Sequence, residues 1–345
     1  MEVNYWKRLG LFVKDRDRKP IAQILCEVLQ LWLHNGFPAA DYYGNLLFKS
    51  FATNIQDHVG ARRAARIREH LNDPFWFSLL DNKLCFHLYF ADKPISIPRL
   101  LGYSFGLQVV VNSEELSMAS PHDCRVVLQL LADMSTTGHV FVKPTGGVGG
   151  GGAYQFSRDE ISTVLDVVHR DMVSKDYIFE EAIVQHPMMS KIYPYSVNTL
   201  RIDTFRDDNG AILPISAYMR MGVGGHYADN ASSGGCFVGV NMDSGMLKCY
   251  AYTLPKVGGG RLREHPDTGV VFQDFKVPLF AHAVRFVCDV ARYVPQRMVG
   301  WDVAISSDGP ILIEGNPNYD TRVSEVAYGG YRNNPVYRRI LAQYG

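Results

Sequence analysis

Apolar residues near the start of the chain recur at helical spacing: Ile21, Ile24, Leu25, Val28, Leu31 and Trp32. That i, i+3, i+4 rhythm predicts a helix over IAQILCEVLQLWLHNG, with Pro20 in its first turn and Gly36 then Pro38 ending it. A second helix is predicted from Ala61 to Leu71, carrying Arg62, Arg63, Arg66 and Arg68. Such a run is ordinarily a solvated face; the other reading is a docking surface for an anionic partner. From about Lys83 the texture changes to short β-rich runs: LQVVVN, HVFVKP, YIFEEAI, SVNTLRIDTF and AILPISAYMR. Helices are expected from Glu114 to Met134, from Glu160 to Val173 and from Leu279 to Tyr293. After residue 190 strands dominate, with turn signals at DDNG (207–210), DSG (243–245) and SDG (307–309). The pattern is α+β, with helices segregated from antiparallel sheet rather than alternating with parallel strands.

Length and composition narrow the class. At ~100–200 residues per domain, 345 residues imply two or three domains. Lys+Arg and Asp+Glu are both 35, so no whole-protein electrostatic footprint for nucleic acid exists, although a local basic patch around phosphates is compatible with that balance. The six cysteines, at 26, 85, 124, 236, 249 and 288, form no CxxC pair and no zinc-ligand spacing, which suits free thiols in a reducing compartment. With neither an apolar leader nor a run of ~20 apolar residues, a soluble cytoplasmic protein is expected, with a homodimer compatible.

Five segments are candidates for chemistry. In VFVKPTGGVGGGGAYQF (140–156), a strand ends in Lys143 and a glycine run follows, including Gly147, Gly149 and Gly150. Glycines let backbone N–H groups approach an anion, and a lysine at the strand end adds a cation. The lysine precedes the glycines, so this is no Walker loop; a phosphate lid and a plain hairpin loop remain equal readings. In YIFEEAIVQHP (177–187), Glu180 and Glu181 on a strand before an apolar hinge suit purine recognition; a charged strand end is the plainer reading. In GWDVAISSDGPILIEGNPN (300–318), two strands flank a turn. A three-residue loop centred on Asp308 sets Asp302 opposite Glu314, with Asn316 on the same face. Opposed carboxylates repel unless a cation joins them, and this all-oxygen set suits Mg²⁺ shared with phosphates; pairing with buried arginines is the competing reading. In YPYSVNTLRIDTF (193–205), Thr199, Arg201 and Asp203 share one face, and an inward arginine seeks an anion. The glycine-rich connection RMGVGGHYADNASSGG (220–235), with Asn230 before its Gly-Gly turn, reads equally as an active-site loop or a surface loop.

Taken in order, DNK (81–83), VFVKPTGGVGGGG, FEEAIVQHP, SVNTLRI, RMGVG…DNASSGG and GWDVAI…GPILIEGNPN resemble the ATP-grasp superfamily, and within it the sugar-transfer-associated branch with its TupA-like relatives. The resemblance implies a fold of two α+β lobes gripping ATP. Residues 1–80 would form a helical N-terminal region, 81–185 a small lobe and 186–345 a large lobe with the metal site. It implies that Lys83 and Lys143 touch phosphates, with the glycine-loop amides of Gly147, Gly149 and Gly150 beside them. Glu180, with Glu181 next to it, would meet the adenine amine, the Ile183 backbone the ring, and Gln185 or His186 the ribose. Asp302, Glu314 and Asn316 would bind Mg²⁺, or Mn²⁺ in its place, and Arg201 would stabilise an acyl phosphate, with Lys143 and Asn230 in the catalytic set. The implied activity is ATP-dependent joining of a small-molecule carboxylate to an amine acceptor, in cell-surface saccharide or peptide-like metabolite biosynthesis. A kinase on the same scaffold is the alternative.

Overall fold

The computed structural model describes residues 12–147, 151–225 and 234–345. Two antiparallel sheets organise it. Strands β1 (Leu100–Phe105), β2 (Gln108–Val111), β3 (Glu114–Ser117), β4 (His139–Pro144), β5 (Tyr154–Ser157) and β6 (Tyr177–Glu181) form a six-stranded sheet in the order 3-2-1-6-4-5. Strands β7 (Thr199–Arg206), β8 (Ile212–Met221), β9 (Cys236–Val240), β10 (Leu247–Tyr252), β11 (Arg261–Leu262), β12 (Met298–Ile305) and β13 (Pro310–Asn316) form a seven-stranded sheet in the order 11-10-9-8-7-12-13.

Each sheet buries one face under helices. In the first lobe Val140, Val142 and Phe179 pack against the helices Pro121–Met134 and Ile161–Met172. Alternation then turns Phe141, Lys143, Ile178 and Glu180 to the opposite face, in register across β4 and β6. In the second lobe Leu200, Ile202, Val299, Trp301 and Val303 pack on the helix Phe280–Val290. Arg201, Asp203 and Asp302 therefore occupy the other face. The helices Lys83–Phe90 and Pro187–Ile192 lie beside the junction of the lobes: Phe86 and Phe90 join the core of the large sheet, while His87 reaches Glu180 in the small one.

Several expectations need correcting. Residues 114–117 are the edge strand β3, and the helix begins only at Pro121, capped by Ser120, whose hydroxyl accepts from the Asp123 amide at 3.2 Å. The stretch after Lys83 opens as a helix, not a strand, because the Asn82 side chain caps it, accepting from the Leu84 and Cys85 amides. Strand β1 and the helices Ala39–Gly44, Thr321–Tyr328 and Pro335–Tyr344 carry too short or too mixed a pattern to have been predicted. The helix Ile21–Asn35 forms as expected, ending at Gly36 in the left-handed region, yet only Ile24 and Leu31 are buried; Ile21, Leu25 and Trp32 stay exposed. Within Ala61–Leu71, Arg68 is not solvated: it is buried, stacks on Tyr319 and donates to Asn318 at 2.8 Å.

One buried carboxylate gathers several of the bonds between the N-terminal region and the large lobe. Buried Glu325, on the helix Thr321–Tyr328, accepts from the amides of Val59, Gly60 and Tyr331 and from Asn45 Nδ2.

Candidate functional site

The β12–β13 hairpin sets Asp302 directly opposite Glu314 and Gly300 opposite Asn316. The Asn316 amide nitrogen lies 3.4 Å from Asp302 Oδ2 and 3.3 Å from Glu314 Oε1, so the three side chains converge. The intervening Gly315 faces the core. A Cβ there would stand 2.8 Å from the Trp301 ring and 3.0 Å from Leu80, so only glycine lets Glu314 and Asn316 flank it on the site face.

Asp302 is also clamped by two arginines from neighbouring strands. Arg201 on β7 donates from Nε to Oδ1 at 2.5 Å and from an NH2 nitrogen to Oδ2 at 2.9 Å; Arg220 on β8 approaches Oδ2 at 2.9 Å. Burial opposes the charge of Asp302, but Arg201 and then Arg220 hold its carboxyl well below the usual carboxylate range. Glu314 is pushed the other way, its carboxyl raised above the ordinary value by burial first and then by the Asp302 charge. Two opposed carboxylates with a side-chain amide beside them fit a divalent cation, whose charge would offset their mutual repulsion. Only two carboxylates stand in this set, and among the described residues no group of three or more His, Cys, Asp or Glu side chains could hold a metal. Asn316 and phosphate oxygens would complete the shell. The competing reading, buried arginine partners, is thus realised at the same carboxylate.

Across the junction stand the cations of the small lobe. Lys143 Nζ lies 2.8 Å from Glu180 Oε2, and His87 holds the other oxygen of the same carboxylate. Glu180 is buried, which raises its pKa, yet Lys143 and His87 bring it below its ordinary value. Lys83 opens its helix with its backbone N–H on the Thr145 carbonyl at 2.8 Å, and its Nζ reaches the Gly147 carbonyl at 3.1 Å. Burial depresses the Lys83 pKa; Glu314 works against that shift and Lys143 with it, so Lys83 lies between the two lobes' charged groups.

The remaining predicted positions divide. Glu181 points away from Glu180: its carboxylate accepts from the Thr136 and Thr137 amides and the Thr136 hydroxyl, tying the turn before β4. Gln185 has no valence left over, since Nε2 donates to the Tyr193 and Ser196 carbonyls and Oε1 accepts from both nitrogens of Asn198. It fixes the passage into β7. His186 caps the helix Pro187–Ile192 through Nδ1, and its backbone N–H donates to Ile305 at the end of β12. Ile183 is half-buried in the hinge between them. Gly149, Gly150 and Asn230 lie outside the described residues. Two site residues escaped sequence reasoning. Arg220 ends the expected strand run AILPISAYMR and begins the glycine-rich connection, with no role read for it; β8 runs on to Met221 and aims it at Asp302. His87 follows Lys83 by four residues on the same helix, a spacing readable once Asn82 is recognised as the cap.

Two antiparallel lobes facing each other with lysines on one side and a Asp–Glu–Asn set on the other define a nucleotide-gripping protein of the ATP-grasp class. The chain belongs to the sugar-transfer associated ATP-grasp family, whose model matches residues 62–334. Among solved structures it is similar to the ATP-grasp ligase PsnB complexed with minimal precursor, Mg and ADP, at 13% identity and a TM-score of 0.42, over 79% of this chain and 62% of that one. It is similar to D-alanyl-alanine synthetase A from Vibrio cholerae O1 biovar eltor at 14% identity and a TM-score of 0.43, over 77% and 64% of the two chains. It is also similar to D-cycloserine synthetase DcsG at 13% and 0.41, over 81% and 80%. The chain thus spans less than two thirds of the length of the first two. No curated protein matches it. Among the described residues no helix is long and apolar enough to cross a membrane.

Proposed function

We propose that the chain is an ATP-dependent carboxylate–amine ligase that forms an amide through an acyl phosphate, in the assembly of a cell-surface saccharide or a peptide-like metabolite. The observation that carries the reading is the convergence of Asp302, Glu314 and Asn316 beneath buried Arg201 and half-buried Arg220, facing Lys83 and Lys143. Bound Mg-ATP would supply the γ-phosphoryl group that makes a carboxylate oxygen a leaving group.

The chain's own residues do the rest by charge and position. Asp302, Glu314 and Asn316 would hold Mg²⁺, with Mn²⁺ able to replace it. Lys143 and Lys83 would meet the phosphates; Lys143 is aimed by Glu180 until then. Arg201 remains protonated throughout, because Asp302 outweighs the effect of burial. With Arg220 it offers fixed positive charge where negative charge develops on a transferring group, without reorganisation. The hinge at Ile183 and His186 would receive the adenosine, steadied from behind by Gln185 and Asn198. No side-chain nucleophile is needed, since the amine acceptor attacks the activated carbonyl itself.

The test is ADP release profiled over a panel of acids and amines. A ligase gives ADP release that requires one acid and one amine together, with an amide in stoichiometric yield. ADP formed with a stable phosphorylated product, and no amine dependence, would identify a kinase on the same scaffold instead.

A further inference from the structure

The helix Ala61–Leu71 carries a second cluster of cations that the nucleotide site does not use. Arg62, Arg63 and Arg66 line a cleft of about 480 Å³ with Asn35, Phe37, Pro38, Asp41, Val59 and Glu69. An adjoining cleft of about 310 Å³ shares Asn35, Arg63 and Arg66 and reaches Ile67 and Tyr344. Among the described residues none of the three guanidiniums has a hydrogen-bond or ion-pair partner, unlike Arg68 on the same helix, which is buried against Asn318. Arg332 stands close by, donating to the His58 carbonyl and to Asn35 Oδ1; burial and then the Arg63 charge lower its pKa.

This arrangement is unfavourable for the helix. Arg62 and Arg66 are four apart and Arg63 and Arg66 three apart, spacings at which like charges repel. Two of them lie in the first turn, where the helix dipole disfavours cations, and that turn holds no acidic residue of its own. The helix end itself is already served, because Asp41 Oδ2 accepts from the Arg62 amide at 3.1 Å. The two carboxylates of the cleft offset the arginines only in part: Asp41 is buried, accepts from the Arg62 amide and feels the Arg62 charge, and Glu69 makes no ion pair with them among the described residues.

We infer that this cleft is a second binding site, for a small molecule bearing phosphate or carboxylate groups. The guanidiniums offer planar, two-pronged donors that match such oxyanions. The volume is that of a small-ligand pocket, on the order of 300–1,000 Å³, and Phe37, Pro38 and Val59 supply an apolar wall for a ring or short chain. The site is separate from the Asp302–Glu314 face but rides on the same helix: its inner side, through Arg68 and Asn318, contacts the segment just beyond β13.

The test is isothermal titration calorimetry on the full chain with the nucleotide site filled by saturating Mg-ADP. Inorganic pyrophosphate and citrate are the probes. At least one is expected to bind saturably at one site per chain, and which one does so names the oxyanion. In R62Q/R66Q the affinity for that probe should fall tenfold or more while Mg-ADP affinity is unchanged, which also reports that the variant is folded. In R62K/R66K, which keeps the charge and loses the prongs, an intermediate loss is expected. No saturable binding of either probe to the unaltered chain, or equal binding by R62Q/R66Q, overturns the assignment. Neither result bears on the ligase reading, which rests on other residues.

Discussion

Replacing Glu325 by glutamine tests how far one buried carboxylate helps to fasten the N-terminal region to the large lobe. Its Oε1 accepts from the Val59 and Tyr331 amides and its Oε2 from Asn45 Nδ2 at 2.7 Å and the Gly60 amide at 3.2 Å. Glutamine keeps the shape but turns one oxygen into an NH2 group. Whichever way it flips, two buried donors then face a donor. At about 1–3 kcal/mol for each buried group left unsatisfied, and with the Tyr331 contact at 3.4 Å counting least, Glu325→Gln should cost about 2–4 kcal/mol. With a urea m-value on the order of 3 kcal/mol per molar, the unfolding midpoint would fall by about 1 M.

The same side chain fixes a pH signature. Burial works against the Glu325 charge, but His58, the Val59 amide and Asn45 hold its carboxyl below its ordinary value. A carboxyl whose pKa is depressed by folding stabilises the fold fully above its unfolded pKa. That contribution is lost as pH falls through the folded value. The stability gap between the unaltered chain and Glu325→Gln should therefore be present at about pH 5 and narrow below about 4.5. Urea melts at both ends of that range measure it. A variant within ~0.5 kcal/mol of the parent at pH 7, or a gap that does not narrow in acid, would refute the reasoning.

Glu314→Gln keeps the strand intact but removes a ligand charge, so turnover should vanish while the fold persists; full activity at saturating ATP would remove Glu314 from a metal role. Lys143→Met should weaken nucleotide binding and also destabilise the small lobe by about 3 kcal/mol, because Glu180 is left buried with His87 alone; pairing it with Glu180→Gln should restore stability but not affinity, as calorimetry and thermal melts would show. Gly300→Ala should lower turnover by at least tenfold with near-native nucleotide affinity, since its Cβ would stand 3.0 Å from Arg201 Cδ and 3.0 Å from Asp203 Oδ1 and displace an arginine pinned on Asp302; unchanged kinetics would show that Arg201 can move freely.

The parts of the fold that were legible in the sequence are those with local causes. The helices at 21–35, 161–172 and 280–290 follow apolar periodicity, and the three turn signals sit between β7 and β8, β9 and β10, and β12 and β13. What failed was decided elsewhere. Residues 83–90 are helical because Asn82 caps them and Phe86 and Phe90 find the large-sheet core, a partner that the local pattern does not name. The exposure of Ile21, Leu25 and Trp32, and the burial of Arg68, likewise depend on which neighbours a helix meets. Strand β1 was invisible for a related reason: LLGYSF is held by β6, far along the chain.

The β12–β13 hairpin shows how a local rule can reach the right pairing by an incomplete route. A three-residue loop centred on Asp308 predicts Asp302 opposite Glu314. The turn is in fact tighter: Ile305 faces Pro310, and the Ser306 N–H donates to the Gly309 carbonyl at 2.9 Å. Left alone, that tip would slip the register by one residue and set Asp302 opposite Ile313, with Glu314 on the wrong face. A bulge between Asp302 and Val303 on this ladder adds the residue back, and Glu314 returns to the site. The bulge is not written in the turn. It follows from packing on both sides: Trp301 is wholly buried, with its indole N–H on Thr204 at 2.9 Å, and Gly315 leaves room for that ring. The core face therefore sets the register that brings Asp302, Glu314 and Asn316 together, and the site chemistry depends on an indole that no substrate need touch.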